Sequence, residues 1–393
     1  MMKETDFGFS YNPLPAVAIG GPPHSGKSVL AYSLTRALRE RSVPHYLLRA
    51  CPQDGEGDWF HEGEPDFVRR IRVKSALSDR WLPLLRRDIA RRHLPLIVDL
   101  GGFPSREQVP LLSECTHGIL LTPSDEARRE WAEYFAACGL ILLADLRSDL
   151  RGENHLETAE PVVRGTLAGL ERGRAASGPV FEALVERLEG LFQPFAADLY
   201  CRHIQSAPAE LVVDLERLAR QLNRDPNNWL PQDLPMVLDY LPSAKPLALY
   251  GRGPNWLYAA LAVHALPAPF YLFDARLGWT LPPALHTGPS GIGPIQIRVQ
   301  KQEAALTQVD CFLTDAYVDI TDVEGISLPA LQEGGIILWG RLPLWLWAAL
   351  ARLYAPFATW LAVAQPQLAT RKREWAVVVH SRGVPPIGSF VGL

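Results

Sequence analysis

The sequence of 393 residues has few cysteines, few methionines and no large excess of charge of either sign. Its five cysteines are dispersed without C-x-x-C spacing, so they support neither a structural zinc site nor a disulfide framework, and they indicate a reducing cytoplasm. The 39 basic and 43 acidic residues give a net charge of −4, so we do not expect a basic protein that coats long nucleic acids. Hydrophobic residues make up 48% and charged residues 21%, which excludes a disordered chain.

The chain also lacks a recognisable secretory signal, because its first residues include acidic side chains and no apolar run. One stretch, 342–363, is apolar enough and long enough to cross a bilayer. Arg352 and Pro356 lie in its middle, however, and Pro343 lies near its start. We therefore predict a buried helix followed by a strand, and no membrane partner.

Near its start the sequence contains a phosphate-binding pattern. Residues 16–20 form a short apolar run that predicts a buried parallel strand, and a helix is predicted from Ser28 onward. Between them, the segment GGPPHSGKS contains the pattern G-x-x-x-x-G-K-S. In this context, backbone N–H groups and the helix N-terminus would face the phosphates of ATP, and Lys27 would contact the β- and γ-phosphates. The predicted site residues are Gly21, Ser25, Gly26, Lys27 and Ser28.

A second buried strand is predicted over 94–100 and reaches its end near Asp99. An acid at this position is what a Walker B element needs, so we predict that Asp99 and the Ser28 hydroxyl hold Mg²⁺. No Glu follows Asp99, which argues against vigorous hydrolysis of the AAA+ type. The D-x-G-G turn that follows instead resembles the γ-phosphate-sensing turn of kinase-like and MinD-like P-loop proteins. The alternative is that Asp99 only caps the next helix.

The rest of this region alternates between strands and helices, which predicts a doubly wound parallel sheet. Further elements are predicted as strands at 117–122 and 139–145 and as helices at 77–92, 105–114 and 124–138. An acidic loop at 51–62 is either the acceptor site of a kinase or a solvated loop, and it carries Asp54, Glu56, Asp58 and Trp59. The candidates for stabilising charge are Arg128, Arg129, Arg147 and Arg151.

An internal repeat organises the C-terminal half of the sequence. Residues 251–262 and 340–351 are identical at nine of twelve positions, at an offset of 89. Short apolar runs precede and follow each copy, so each copy predicts a strand, a turn, a helix and a strand. Such copies usually pack as a pseudo-dimer with a cleft on their two-fold axis.

These patterns predict an α/β fold in four segments. Between 153 and 195 we predict no strand, and an amphipathic helix would leave the first domain there. The segments are a P-loop domain at 1–152, a helical connector at 153–195, and repeat domains at 196–300 and 301–393.

The repeat resembles a known family. Residues 251–257, which read GRGPNWL, and 274–278, which read DARLG, are similar to the small CRISPR-associated ring nuclease family. That family cleaves cyclic tetra-adenylate, a second messenger of type III CRISPR defence. Some members are fused to a P-loop domain loosely called AAA, and GPPHSGKS resembles that domain as well. The resemblance implies two tandem Rossmann-like α/β domains that form a pseudo-dimer.

The resemblance also implies site residues, and the two copies retain different parts of the family pattern. In the first copy, Arg252, Asp274 and Arg276 match motif positions, and His286 falls roughly where the family has a histidine. The second copy keeps Arg341 and an A-V-V-V-H segment that ends in His380, but QPQLA at 365–369 replaces its D-x-R-L-G turn. The copies would either build one composite site or form a scaffold that only binds. The remaining substrate-binding candidates are Gly253, Trp256 and His264.

Cleavage of the ring requires the ribose 2′-OH or a water to attack the neighbouring phosphorus. A histidine, His286 or His380, would act as acid or base, and arginine forks would bind phosphate. Asp274 would position Arg276 or hold a divalent metal, and the family has been linked to manganese. Trp256 would stack on adenine, although a tryptophan at the start of an apolar helix is commonly a core residue.

Three hypotheses follow for a cytoplasmic protein that we expect to form homo-oligomers. In the first, the repeat binds and linearises cyclic tetra-adenylate, and ATP bound by the P-loop domain gates this activity or drives assembly. In the second, the repeat is a sensor without cleavage that controls a P-loop ATPase or nucleotide kinase. In the third, the repeat is an oligomerisation module of a P-loop kinase and binds no cyclic nucleotide.

Overall fold

A computed structural model describes residues 14–50, 81–101, 109–171, 173–289, 293–301, 306–315, 317–365 and 375–393. The chain divides into two compact units. Unit 1 comprises Met1–Ala50 with Arg86–Leu199, and unit 2 comprises Cys51–Leu85 with Tyr200–Leu393. The described parts of both units are mixed α/β with parallel strand pairs, as the sequence predicts. The acidic loop at 51–62 lies outside the described residues.

Unit 1 contains a seven-stranded sheet in the order β2-β3-β1-β4-β5-β7-β6. All neighbouring pairs are parallel except β6 with β7. Its central strands are apolar and buried along their length, as expected where helices cover both faces of a parallel sheet. The strands are β1 (Ala16–Gly20), β2 (Tyr46–Arg49), β3 (Leu96–Asp99), β4 (His117–Thr122), β5 (Ile141–Asp149), β6 (His155–Thr158) and β7 (Val163–Ala168).

The described helices of unit 1 follow the predicted alternation, and the predicted starts at 77–80 and 105–108 lie outside the described residues. Ser124 caps one of them, α4, through its side chain, which accepts the backbone N–H of Ala127, and two acids occupy the first turn. The helices are α1 (Lys27–Glu40), α2 (Trp81–Ala90, which crosses the boundary between the units in sequence), α3 (Val109–Leu112), α4 (Asp125–Ala137) and α5 (Pro179–Phe192).

The prediction of no strand between 153 and 195 was wrong, because β6 and β7 both lie there. β6 is an edge strand with mostly exposed side chains, so no apolar run marks it in the sequence. In β7, buried residues alternate with exposed or half-buried ones around Gly165, and the strand adds to the sheet beside β5. The predicted amphipathic helix is present as α5, and its apolar side joins the core of unit 1.

Unit 2 contains two main sheets and a short two-stranded pairing. The four-stranded sheet has the order β11-β10-β9-β8 and the six-stranded sheet the order β13-β14-β16-β17-β18-β19, while β12 pairs with β15. The four-stranded sheet contains β8 (Val212–Asp214), β9 (Leu247–Tyr250), β10 (Phe270–Asp274) and β11 (Gly278–Thr280), and the separate pairing consists of β12 (His286–Thr287) and β15 (Ser327–Leu328). The second sheet contains β13 (Ile295–Lys301), β14 (Leu306–Leu313), β16 (Gly334–Gly340), β17 (Ala358–Ala364), β18 (Trp375–Ser381) and β19 (Phe390–Gly392).

The two copies of the repeat form equivalent parallel units, β9-α9-β10 and β16-α10-β17. The helices α9 and α10 are apolar on nearly every side and pack against each other. One hydrophobic core includes residues of both copies, such as Leu257 and Leu346, because neither helix can be buried by its own copy alone. The helices are α6 (Ala196–Gln205, which crosses the boundary between the units in sequence), α7 (Leu215–Gln221), α8 (Leu234–Tyr240), α9 (Asn255–His264) and α10 (Leu344–Tyr354).

The apolar stretch 342–363 is a helix followed by a strand, as predicted. Arg352, the charged residue in this stretch, donates hydrogen bonds to the carbonyl oxygens of Ala262 at 2.8 Å and Ala268 at 3.0 Å. Its guanidinium thus bonds carbonyls at and just beyond the C-terminal end of the helix in the other copy. Among the described residues, no helix has both the length and the hydropathy needed to span a bilayer.

We expect Arg352→Met to lower the free energy of unfolding by about 1–3 kcal/mol, because two carbonyl oxygens lose their donor while the apolar stem is kept. Chemical denaturation measures this change. Lys245→Met, at an exposed position of unit 2, is the matched control and should change stability little. Equal stabilities of the two variants would contradict a stabilising role for Arg352.

Candidate functional site

In unit 1 the segment Gly21–Ser28 connects β1 to α1 and requires glycine at two positions. A Cβ atom at Gly21 would lie 2.0 Å from the carbonyl oxygen of Leu121 on β4. Gly26 has φ +89°, and a Cβ atom there would lie 2.6 Å from the Cβ of Leu170, just after β7. β4 and the residues after β7 therefore leave no room for a side chain at either glycine, which restricts the conformation of the loop.

The amine of Lys27 lies inside this loop. It is buried, and its Nζ donates to the carbonyl oxygen of Pro22 at 2.6 Å and to the Ser25 hydroxyl at 3.4 Å. The Ser148 hydroxyl on β5 donates to the carbonyl oxygen of Ser25 at 2.8 Å and fixes the loop from outside. Ser28, the second residue of α1, is half-buried. The lysine, the serine and the helix N-terminus thus share one end of β1.

Asp99 ends β3 beside this loop and is buried. Its Oδ1 accepts the backbone N–H of Gly101 at 3.3 Å, and its Oδ2 accepts Nη1 of Arg49 at 3.5 Å. Arg49 is not among the residues predicted from the sequence, although a basic residue that ends a short apolar run was a usable signal. Asp99 is therefore part of a turn and an ion pair, and no contact to a following helix is needed to explain it.

The arginines proposed for charge stabilisation are exposed, and two of them, Arg128 and Arg129, bond groups within unit 1. Arg128 binds both carboxylate oxygens of the buried Asp145 through its Nε, at 2.7 and 2.9 Å. Arg129 is exposed, and its Nε donates to a backbone carbonyl oxygen of its own helix at 3.4 Å. Arg147 and Arg151 are exposed. Arg128 is therefore a structural partner of the sheet.

In unit 2 the first-copy motif residues lie at the carboxyl ends of β9 and β10, which are parallel neighbours. Asp274 ends β10 and accepts the backbone N–H groups of Arg276 at 2.8 Å and Leu277 at 3.3 Å. The Arg276 guanidinium pairs with Asp274, with Nε 3.6 Å from Oδ1, and lies 4.8 Å from the centre of the Tyr317 ring. Asp274 therefore fixes the turn and orients Arg276.

The G-R-G-P segment meets this turn around a buried tyrosine. The Tyr258 hydroxyl donates to the carbonyl oxygen of Gly251. Burial raises the pKa of Tyr258, the Asp274 carboxylate raises it further, and the Arg252 guanidinium lowers it. Both charges are thus close enough to act on one hydroxyl. Arg252 is exposed, so its guanidinium can reach a ligand at this edge.

The second copy contributes to the same edge of unit 2. The Asn255 side chain, at the start of α9, donates to the carbonyl oxygen of Ala364, at the end of β17, at 3.0 Å. Tyr317, which faces Arg276, follows β14, and β14 is the parallel neighbour of β16. Arg341 follows the end of β16 and is half-buried. Elements of both copies therefore meet at this edge, where Tyr317 contacts Arg276 and Asn255 bonds Ala364.

Two of the predicted histidines, His264 and His380, are not brought to this edge. His264 is at the opposite end of α9, about 13 Å from its first residue, and its Nε2 lies 3.0 Å from the carbonyl oxygen of Leu241. His380 pairs with Leu361, about 10 Å along the strands from the end of β17 at Ala364. His286 is exposed in the short pairing of β12 with β15. Within the predicted catalytic set, Asp274 and Arg276 are therefore together and His380 is separate from them.

Trp256 is not available for stacking on adenine, which corrects the expectation from the sequence. It is 2% exposed, and its counterpart Trp345 in the second copy is 0% exposed. Both tryptophans lie in the core that α9 and α10 share. Gly253, by contrast, lies half-buried in the loop, where a Cβ atom would be 2.9 Å from the Leu215 side chain.

An aromatic cluster on the four-stranded sheet was missed by the sequence analysis. Phe273 lies 4.2 Å from His203, 5.0 Å from Tyr250 and 5.5 Å from Trp279, measured between ring centres. Trp279 Nε1 donates to the carbonyl oxygen of His203 at 2.7 Å. The alternation of Tyr271 and Phe273 with buried residues along β10 was a signal for this second face.

Within the described residues, no three or more His, Cys, Asp or Glu side chains gather as metal ligands. The donor set around Asp274 therefore does not fit a manganese ion held by the protein alone. At the Gly21–Ser28 loop, the Ser28 hydroxyl and the Asp99 carboxylate do fit a metal that is shared with phosphate oxygens, and the N-terminus of α1 favours the phosphates themselves.

Comparison with known proteins identifies one similarity. A family model described as "CRISPR-associated protein (Cas_csx3)" matches residues 311–386, which extend from the end of β14 through β18. This part of the chain is therefore similar to a CRISPR-associated family, which confirms the CRISPR part of the resemblance in the second copy. No match was found among curated proteins.

The burial of His380 predicts a stability that depends on pH. Burial, followed by the charge of Arg382, lowers the pKa of His380 below 6.5. As the pH falls, His380 is protonated in the unfolded state before it is protonated in the folded state. The free energy of unfolding therefore decreases as the pH falls from the pKa of the unfolded state towards the lower pKa of the folded state. Between about pH 7.5 and about pH 5.5, we expect the wild type to lose more unfolding free energy than His380→Gln.

The exposed His286 provides the control for this measurement. His286→Gln should lose as much stability on acidification as the wild type. A His380→Gln protein with the wild-type pH dependence of denaturation would mean that His380 does not contribute to acid sensitivity.

Proposed function

We propose that this protein is a CRISPR-associated receptor that binds cyclic tetra-adenylate at the carboxyl-end edge of unit 2 and ATP at the Gly21–Ser28 loop of unit 1. One observation carries the proposal. The loop with Arg252 and the turn with Asp274 and Arg276 meet at one sheet edge, and the second copy supplies neighbouring elements there. The carboxyl edge of parallel strands is where α/β proteins bind ligands.

The charge at this edge suits a ring of phosphodiesters. Arginine donates two parallel hydrogen bonds to phosphate oxygens, and Arg252 is exposed for that purpose. Arg276 is held in place by Asp274 and by the Tyr317 ring, so little side-chain freedom is lost on binding. The ligand consists of repeated adenylate units, and the protein also repeats its arginine position. Arg341 occupies in the second copy the position that Arg252 occupies in the first.

Binding without cleavage is favoured because His264 and His380 lie away from Arg252 and Arg276. Cleavage is the second candidate, and the Asp274–Arg276 pair is the observation that favours it. If the 2′-OH of one ribose attacks the adjacent phosphorus, the 5′-oxygen leaves and a 2′,3′-cyclic phosphate forms. A fixed guanidinium could stabilise the charge that develops on the phosphate oxygens.

At the Gly21–Ser28 loop, the residues fit a nucleoside triphosphate with Mg²⁺. Lys27 would hold the β- and γ-phosphates, while Ser28 and Asp99 would hold the metal. The bound Mg²⁺ would neutralise the phosphate charge. The backbone N–H groups at the start of α1 favour an anion at that position. We propose that ATP bound in this way regulates the receptor or its assembly into homo-oligomers.

Reciprocal variants test the two sites. Labelled cyclic tetra-adenylate is incubated with Arg252→Ala, Lys27→Ala and the wild type, with and without ATP, and a binding assay is run beside a denaturing gel. We expect Arg252→Ala to weaken ring binding by about tenfold or more, because a charged hydrogen bond to phosphate is lost, and to leave ATP binding intact. Lys27→Ala should abolish ATP binding and leave binding of the ring intact.

The gel separates the two candidates for unit 2. A bound ring that remains intact supports the receptor, whereas linear products from the wild type that are absent from Arg276→Ala would establish cleavage. Wild-type ring binding that Arg252→Ala leaves unchanged would refute this site. If the wild type does not bind the ring, the assignment of cyclic tetra-adenylate is wrong.

A further inference from the structure

The Arg49 side chain lies beside the proposed phosphate site, and the proposed function assigns it no role. Arg49 ends β2 and pairs in register with Asp99 on β3, which pairs in register with Ile19 on β1. Neighbouring strands are about 4.8 Å apart, so the three residues form a row that leads to the Gly21–Ser28 loop. The Arg49 side chain is 9% exposed, although it carries a full charge.

Among the described residues, part of the hydrogen-bonding capacity of this guanidinium is unused. Nη1 donates to Oδ2 of Asp99 at 3.5 Å, which is a long hydrogen bond. Nη2 is buried and has no hydrogen-bond partner among the described residues. A buried charged donor without an acceptor is costly, and native structures commonly reserve such groups for function.

We propose that Arg49 binds the terminal phosphate of a nucleoside triphosphate held at the Gly21–Ser28 loop. The inference rests on the proposed function of that loop. The ligand is an anion with several oxygens in a plane or fork, because that geometry matches a guanidinium. A terminal phosphate is favoured over the inner phosphates because Arg49 bonds the carboxylate of Asp99, and a metal at that carboxylate bridges the β- and γ-phosphates.

The position of Arg49 also gives the loop a means of discriminating between nucleotides. Lys27 and the backbone N–H groups at the start of α1 serve a diphosphate and a triphosphate alike. Arg49 is two strands away from β1, on the side of β3, so it would reach only the outermost phosphate. We therefore expect Arg49 to raise the affinity for ATP and to leave the affinity for ADP nearly unchanged.

Calorimetric titration of the full-length protein with ATP and with ADP, each with Mg²⁺, tests this proposal. Arg49→Gln should weaken ATP binding by about tenfold or more, the effect of losing a hydrogen bond between charged groups. ADP binding should change by less than about threefold. Arg36→Gln, at an exposed position of α1, is the matched control and should bind both nucleotides like the wild type.

Arg49→Lys is a second variant, included because Arg49→Gln could fail to fold. It keeps a positive charge beside Asp99 but loses the planar fork, so it should fold and show a smaller loss of ATP affinity than Arg49→Gln. Arg49 variants that lose affinity for ATP and ADP equally, or for neither, would overturn the inference.

The same titrations distinguish the failure of this inference from that of the nucleotide site. If Lys27→Ala abolishes nucleotide binding while both Arg49 variants bind ATP normally, only the role of Arg49 is wrong. If the wild type binds neither nucleotide, the proposed function of the loop is wrong, and the role of Arg49 is wrong with it.

Discussion

The packing of α9 against α10 is the constraint on which unit 2 depends. Each helix is apolar around nearly its whole circumference, so a single sheet cannot bury it, and the two copies cover each other. This arrangement puts Trp256 and Trp345 in a common core and places Asn255 beside the end of β17. It also gives the one charged residue of α10, Arg352, carbonyl partners in the other copy. The proposed binding edge therefore follows from how the copies are buried together.

The same packing separates residues that are close to each other in the sequence. A strand and a helix each have two ends, and only one end of each reaches the carboxyl edge where Arg252 and Asp274 lie. His264 and His380 are close in sequence to motif residues, yet both lie toward the other end of their elements. The result is an edge with cations and a fixed carboxylate, where binding of phosphates is a stronger expectation than proton transfer.

Much of the fold could be predicted because its signals are local. The apolar runs of β1, β3 and β4 and the pattern of the Gly21–Ser28 loop are each complete within a few residues. What escaped prediction depends on contacts distant in sequence. β6 is an exposed edge strand that is defined only by its pairing with β7. Arg49 can be recognised as part of the site only from its register with Asp99 on the neighbouring strand. The burial of Trp256 likewise depends on a second copy 89 residues away.

The residues that support the Gly21–Ser28 loop limit where this unit can be joined to another domain by recombination. Leu170 closes the loop at Gly26, and Ser148 fixes it at Ser25, so residues that come long after the motif complete it. β7 then extends the sheet beside β5, and α5 joins the hydrophobic core of the same unit. A gene fusion or exchange that joined another domain directly after β5 would leave the motif intact in sequence and remove its support. Successful recombination should therefore preserve the chain as far as the end of α5.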